Sequence, residues 1–252
     1  MPFPIKLDVA YETPAQPHDG LAVSVIITLY NYESFIEGAL DSVRLQTFGP
    51  IELIVVDDCS KDDSVKRSLN WLKANSGRFV KVKQICHREN YGLAQARNTA
   101  FEAATNEYVF VLDADNEIKR FALEKLLSAC ERAKTEAAYS QLEKFGERDG
   151  LGDAESWNPD LLARGNYIDA MALIKKSAWR AVGCYSAMEI EGWEDYDLWC
   201  KFVGKKYSAV FVQEPLCRYR VHGTSLLNIE TNPQIAKLKL DMMVRHPWLT
   251  LS

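Results

Sequence analysis

Four times in succession between residues 23 and 133, a short run of β-branched and aromatic residues gives way to a stretch with helical spacing. Val23–Leu29 precedes Ile36, Leu40 and Val43, and Ile51–Val56 precedes Val65, Leu69 and Leu72. Phe79–Cys86 precedes a stretch carrying Ala94, Ala96, Arg97, Asn98 and Ala100, and Tyr108–Leu112 precedes 118–133, where Leu123, Leu126, Leu127 and Cys130 share one face. Strands this apolar throughout are buried on both faces. Strand–helix repetition closes by right-handed crossovers into a mostly parallel sheet between two layers of helices. The expected fold class is α/β, a three-layer α/β/α sandwich, and 252 residues at 47% hydrophobic are enough to bury it around one core.

Two of the runs end in carboxylates. Tyr108–Asn116 reads Tyr-Val-Phe-Val-Leu-Asp-Ala-Asp-Asn. Alternate side chains of an extended chain point the same way, which puts Asp113 and Asp115 on one side of a strand's carboxyl end, where ligands bind in doubly wound sheets. Two hard oxygen donors there suit Mg²⁺ or Mn²⁺ with phosphate oxygens. A strand-to-helix turn in which Asp115 or Asn116 caps the next helix accounts for the pair equally well. Ile51–Val56 runs into Asp57-Asp58-Cys59-Ser60, and Ser60-Lys61-Asp62-Asp63 has the spacing of a capping box. Asn90-Tyr91-Gly92-Leu93 has the polarity of a helix start that can face an anion. After the first run, Tyr30-Asn31-Tyr32 stands where a dinucleotide-binding turn needs glycines, which disfavours a Rossmann dehydrogenase.

Beyond residue 135 the rhythm is lost. Ala137–Leu142 has the pattern of a short strand, 143–164 of a long mobile loop, Tyr167–Ile174 of a strand, and Lys176–Val182 of a short helix capped by Gly183. Glu191–Trp199 interleaves four acids with aromatics at the start of an apolar helix, more acid than a favourable helix dipole requires. Tyr207–Val212 and Leu216–Val221 form a last strand pair broken at Glu214-Pro215, followed by His222 and a closing helix over 232–246. Residues 1–20, rich in proline, are expected to be an extended lead-in or linker, and 21–252 a single domain with a nucleotide-binding part (21–135) and an acceptor-side part (136–230). The net charge of −5 and the lack of a basic run disfavour a nucleic-acid partner. Six scattered cysteines without a Cys-x-x-Cys pair read as reduced thiols, and no apolar stretch is long enough to span a bilayer. The expected location is cytoplasmic, or peripheral to the inner face of the membrane.

Seven motifs in order give the chain a family resemblance. Val-Ser-Val-Ile-Ile-Thr-Leu-Tyr-Asn, Leu-Gln-Thr-Phe, Ile-Val-Val-Asp-Asp-Cys-Ser-Lys-Asp, Asn-Tyr-Gly-Leu-Ala-Gln-Ala-Arg-Asn, Leu-Asp-Ala-Asp, Trp-Glu-Asp and Tyr-Arg-Val-His together resemble the inverting family-2 glycosyltransferases of GT-A fold, over roughly residues 22–227. The resemblance implies a metal-dependent enzyme, a hexosyl- or N-acetylhexosaminyltransferase, using a nucleoside-diphosphate sugar, UDP-linked by preference, and a saccharide or lipid-linked glycan acceptor. By position, Thr28, Tyr30 and Asp58 would hold the base, Asp58 accepting its N–H. Asn90, Gly92 and Arg97 would line the ribose and diphosphate, with Arg97 as a phosphate fork. Asp113 would contact ribose or metal, Asp115 would bind Mn²⁺ or Mg²⁺, and His222 would be a further metal ligand or a diphosphate contact. Asp195 would be the general base, with Glu194 orienting the acceptor or Asp195. Cys59 departs from the family's usual Gly, and 143–164 matches none of its motifs. Two other readings remain: an inactive GT-A module serving a larger synthase, and, further off, an Asp-nucleophile phosphatase, whose motif Glu117 breaks.

Overall fold

The computed structural model describes residues 5–223, 225 and 231–251. In chain order come β1 (Leu7–Glu12), β2 (Val23–Leu29), α1 (Ile36–Arg44), β3 (Ile51–Asp57), α2 (Ser64–Asn75), β4 (Lys81–His87), α3 (Leu93–Ala103), β5 (Tyr108–Asp113), β6 (Glu117–Ile118) and α4 (Ala122–Ala133). The second half holds β7 (Ala137–Gly146), β8 (Gly150–Leu151), α5 (Pro159–Leu162), β9 (Ala172–Lys175), α6 (Lys176–Ala181), α7 (Glu194–Gly204), β10 (Ala209–Val221) and α8 (Ile235–Arg245).

All but β8 lie side by side in one sheet, in the order β1-β4-β3-β2-β5-β9-β7-β10-β6, and β8 pairs with β7. The expected parallel core is β4-β3-β2-β5. Around it the sheet is mixed: β1, β9 and β6 run antiparallel to their neighbours, while β7 and β10 run parallel to each other. Every residue of β2 and β3 is buried, because alternate side chains feed two separate cores. Val23, Val25, Ile27 and Leu29 meet α1, α2 and α4 on one face. Ile26, Ile54 and Val56 join the core formed with α3, α6 and α7 on the other. This is the three-layer sandwich. Polar groups at the amino ends of these strands serve the scaffold: Ser24 Oγ donates to Glu52 Oε2 (2.5 Å), which also accepts from Thr105 N (2.8 Å). The carboxyl ends are left for chemistry.

Several local expectations change. The lead-in is extended but docked, since β1 adds an antiparallel edge strand to β4. Residues 1–4 of the lead-in and 226–230 of the acceptor-side half lie outside the described residues. The expected loop at 143–164 contains the end of β7, β8 and α5, because β10 supplies a pairing partner as far as Gly146. The two final strands are one strand, β10, with register shifts on either side of Pro215, a residue tolerated at a bulge because it has no ladder N–H to lose. No capping box forms at 60–63. Helix α2 starts at Ser64 with no side-chain cap, and Ser60 Oγ accepts instead from Asn31 N (3.0 Å) and Asp62 Oδ2 from Glu33 N (3.1 Å), which laces together the loops after β2 and β3. All six cysteines are free thiols. Among the described residues, no helix is long and apolar enough to cross a membrane.

Candidate active site

The carboxyl ends of β2, β3 and β5, the loop before β9 and the amino end of α7 surround a cavity of about 1290 Å³. It lies outside the carboxyl ends of parallel strands, where the crossovers leave a crevice. Drug-sized ligands occupy sites of about 300–1,000 Å³. This one has room for two substrates together.

At one end, Thr28 stands one residue before the end of β2, and Tyr30 just past that end is half-exposed. Thr28 is 6% exposed, and its Oγ1 is buried without a hydrogen-bond partner. A buried hydroxyl left unpaired is costly unless a ligand completes it. Asp58 lines the same end but is not the open acceptor expected from the sequence. Its oxygens accept from His87 Nδ1 (2.7 Å), from Tyr91 N (2.9 and 3.2 Å) and from Gly92 N (2.7 Å). These three N–H groups engage both carboxylate oxygens and fix the turn before α3. Asn90 lines the cavity and adds a bond to Gly92 N (3.1 Å). Gly92 has φ +85°, and a Cβ there would fall 2.0 Å from Glu191 Oε1. The α3 start expected to face an anion already holds the Glu191 carboxylate, which accepts from Leu93 N (2.9 Å).

Arg97 does not present a phosphate fork. Its guanidinium is buried, and a buried cation needs counter-charges. It finds two: one Nη donates to Asp113 Oδ1 (2.8 Å), the other to Glu194 Oε1. Glu194 also accepts from Gly192 N (3.0 Å). Arg97 thus ties α3 to the carboxyl end of β5 and the amino end of α7. Glu194 belongs to this tie and also lines the cavity.

Asp115 is buried, and its Oδ2 meets His222 Nε2 at 2.9 Å across 107 residues of chain. The imidazole packs against Phe35 (5.0 Å between ring centres) and edge-on to Tyr32 (6.0 Å). Burial raises the Asp115 carboxyl above its ordinary value, and the bond from His222 opposes this. Neither Asp115 nor Asn116 caps the next helix: α4 begins after Phe121, while Asn116 Oδ1 accepts from Arg220 N (2.8 Å) and Asp115 O from Arg220 Nε (2.9 Å). No group of three or more His, Cys, Asp or Glu forms a complete metal cage among the described residues. A small hard cation held by one or two carboxylates and by substrate phosphates needs no such cage, so Asp115, with His222 beside it and Asp113 two residues away, fits that kind of site.

At the far end Asp195 lies in the first turn of α7, half-buried and facing the cavity. Loss of solvent first, and the Glu194 charge second, raise its carboxyl well above the ordinary range, with Arg97 opposing. Its Oδ2 accepts from Asn166 Nδ2 (3.2 Å). Asp169 on the same loop also lines the cavity, and burial together with the nearby Asp113 charge pushes its carboxyl up to about 7. Sequence reasoning missed Asn166, Asp169 and His87. Position alone flags His87, at the carboxyl end of a parallel strand. Nothing local marks the other two.

The profile of glycosyl transferase family 2 matches residues 24–196. The chain belongs to that family. EpsH of Bacillus subtilis, provisionally named a glycosyltransferase, is 28% identical over 224 residues, 82% of this chain and 62% of EpsH. An uncharacterised Sinorhizobium fredii protein, y4gI, is 30% identical over 185 residues, 71% of this chain and 20% of that protein. The family-2 chain therefore spans only part of the length of these relatives. Its fold matches S. aureus TarS solved with UDP-GlcNAc, at a TM-score of 0.70 and 18% identity, covering 83% of this chain and 61% of TarS. It likewise matches the mannosyltransferase PcManGT of Pyrobaculum calidifontis solved with GDP-Man and Mn²⁺, at 0.65 and 20%, covering 84% and 61%. The fold is the GT-A sandwich.

Proposed function

We propose that this glycosyltransferase moves a sugar from a nucleoside diphosphate, UDP by preference, to a hydroxyl of a saccharide or lipid-linked glycan, with inversion and with a divalent cation. The observation that carries the reading is convergence: Thr28, the Asp113–Asp115 pair and Asp195, from three separate segments, line one cavity. Thr28 Oγ1 completes its hydrogen bonding on the base and Tyr30 offers a ring face, while Asp58 acts indirectly by holding the Tyr91–Gly92 turn. Asn90 stands at the ribose side.

Asp195 removes the proton of the acceptor hydroxyl as that oxygen bonds to the anomeric carbon. The bond from that carbon to the diphosphate oxygen breaks on the opposite face, and the nucleoside diphosphate leaves with the electron pair. Asp115, with His222 and Asp113, would hold Mn²⁺ or Mg²⁺, which when bound would supply positive charge against the charge of the leaving diphosphate. Asp169, between the donor and base ends, accepts sugar hydroxyls. Glu194 keeps Arg97 and the start of α7 in place.

Thermal unfolding with UDP, with and without Mn²⁺, tests donor binding, since a ligand bound only by the folded chain raises its melting temperature. Asp195→Asn should keep that stabilisation and lose nucleotide release from UDP-sugars, and Asp115→Ala should lose the Mn²⁺-dependent part. Near-normal release by Asp195→Asn overturns the base assignment.

A further inference from the structure

The reading of Asp195 as base leaves open what holds its carboxylate to the acceptor. A carboxylate on one helical side chain turns about two bonds. Productive geometry needs one oxygen within roughly 2.6–3.2 Å of the acceptor hydroxyl. Tyr196 N, from the adjacent residue, donates to Oδ1 (2.7 Å). The second oxygen is met from another part of the chain. Asn166, on the segment between α5 and β9, donates from Nδ2 to Oδ2 at 3.2 Å across 29 residues of sequence.

The amide orientation at Asn166 follows from its other end. Asn166 Oδ1 accepts from Ile168 N (3.1 Å) in a local turn, so the oxygen faces its own backbone and the NH₂ faces Asp195. The turn is supported further along, where Asp169 Oδ1 accepts from Met171 N (2.8 Å) as the chain enters β9. Each oxygen of Asp195 thus receives one N–H, which leaves on each a lone pair for an acceptor proton. The remaining charged or titratable groups around Asp195 are Glu194 and Cys200 on its own helix, Arg97 from α3, Asp169 from the Asn166 loop, and Tyr185 from the segment after α6. Arg97 is already committed to Asp113 and Glu194. Among the described residues, Asn166 is the side-chain donor that reaches Asp195.

We infer that Asn166 is a positioning residue for the proposed base, its amide fixing the rotamer of Asp195 and supporting its ionised form. The inference rests on the assignment of Asp195 above, and two substitutions separate the fates of the two claims. Asn166→Asp keeps the side-chain shape and the acceptor for Ile168 N, so the loop turn survives, but it removes the donor to Asp195. Asn166→Ala removes both.

The probe is nucleotide release with water as acceptor in the presence of Mn²⁺, using whichever of UDP-GlcNAc, UDP-glucose and GDP-mannose is turned over fastest. The Asn166→Asp variant is expected to lose about tenfold to a hundredfold in kcat, as for one hydrogen bond to a charged group. Its melting temperature and its affinity for the free nucleoside diphosphate should match the parent protein. The acid limb of its rate profile should move to higher pH, because a second carboxylate replaces a donor beside the base. Asn166→Ala should lose activity to a similar degree. If Asn166→Asp turns over at the parent rate while Asp195→Asn is inactive, the positioning role is wrong and the base assignment stands. A fall in melting temperature or nucleotide affinity that accounts for the lost rate also overturns it, by making Asn166 a loop residue only. If Asp195→Asn is active, the base assignment fails first.

Discussion

Replacing Arg97 by methionine would test whether the junction of α3, β5 and α7 is held by charge. The guanidinium is 2% exposed and is bonded to Glu194, 4% exposed, and to Asp113, 25% exposed. Methionine fills similar space but leaves Glu194 buried with no cation. Removing one partner of a buried pair costs about 3–5 kcal/mol. For a chain of this size each kcal/mol lowers the melting temperature by roughly 2–4 °C, so a fall of about 6–20 °C is expected. The source of the loss is separable. If it comes from an uncompensated carboxylate, adding Glu194→Gln to Arg97→Met should recover a large part, giving a coupling above about 1 kcal/mol in a double-mutant cycle. Urea unfolding of the four proteins measures this directly. Arg180→Met, breaking an ion pair in which both partners are more than half exposed, is the control and should change little. A double variant no more stable than Arg97→Met alone would refute the ion-pair account.

Two further perturbations read other parts of the site and scaffold. Thr28→Val should leave stability unchanged or raised, since its hydroxyl is buried without a partner, while UDP affinity measured by calorimetry falls about 2- to 12-fold for the one lost bond; unchanged affinity would exclude Thr28 from the base contact. Asp197 is buried, yet His246 (2.8 Å) and Lys201 (2.7 Å) hold its carboxyl well below the ordinary range against that burial. A lowered carboxyl stabilises the fold above the unfolded value and loses that contribution as pH falls through the folded one. His246→Ala should therefore destabilise at neutral pH by about 1–2 kcal/mol, and the gap from the parent should shrink below about pH 4. A gap that stays constant with pH would count against the bond from His246 as a support of the ionised Asp197 carboxyl.

The parallel core was legible because burial on both faces leaves a mostly apolar run, and β2, β3 and β5 carry that pattern over most of their length. The acids at the carboxyl ends of β3 and β5 were legible for the same reason, since they end those runs abruptly. What stayed hidden depends on pairing across distance. β1 reads as a proline-rich lead-in because its register comes from β4. β7 reads as half its length because β10 supplies its remaining partners. The identity of Arg97's partners is likewise non-local: the sequence presents a cation near a phosphate motif, whereas burial demands the carboxylates of Asp113 and Glu194. Asn166 and Asp169 carry no periodic or motif signal, and the loop holding them acquires meaning only once it folds over α7.

Strand β10 changes phase twice beside Pro215 before it reaches His222. In an extended chain a shift of one residue exchanges the two sides of the sheet. The number of residues between Val212 and Cys217 therefore decides whether Arg218, Arg220 and the imidazole arrive facing Glu117 and Asp115 or turned to the opposite layer. A single deletion there would remove no reactive group, yet it would swing this end of the strand away from the acids it serves.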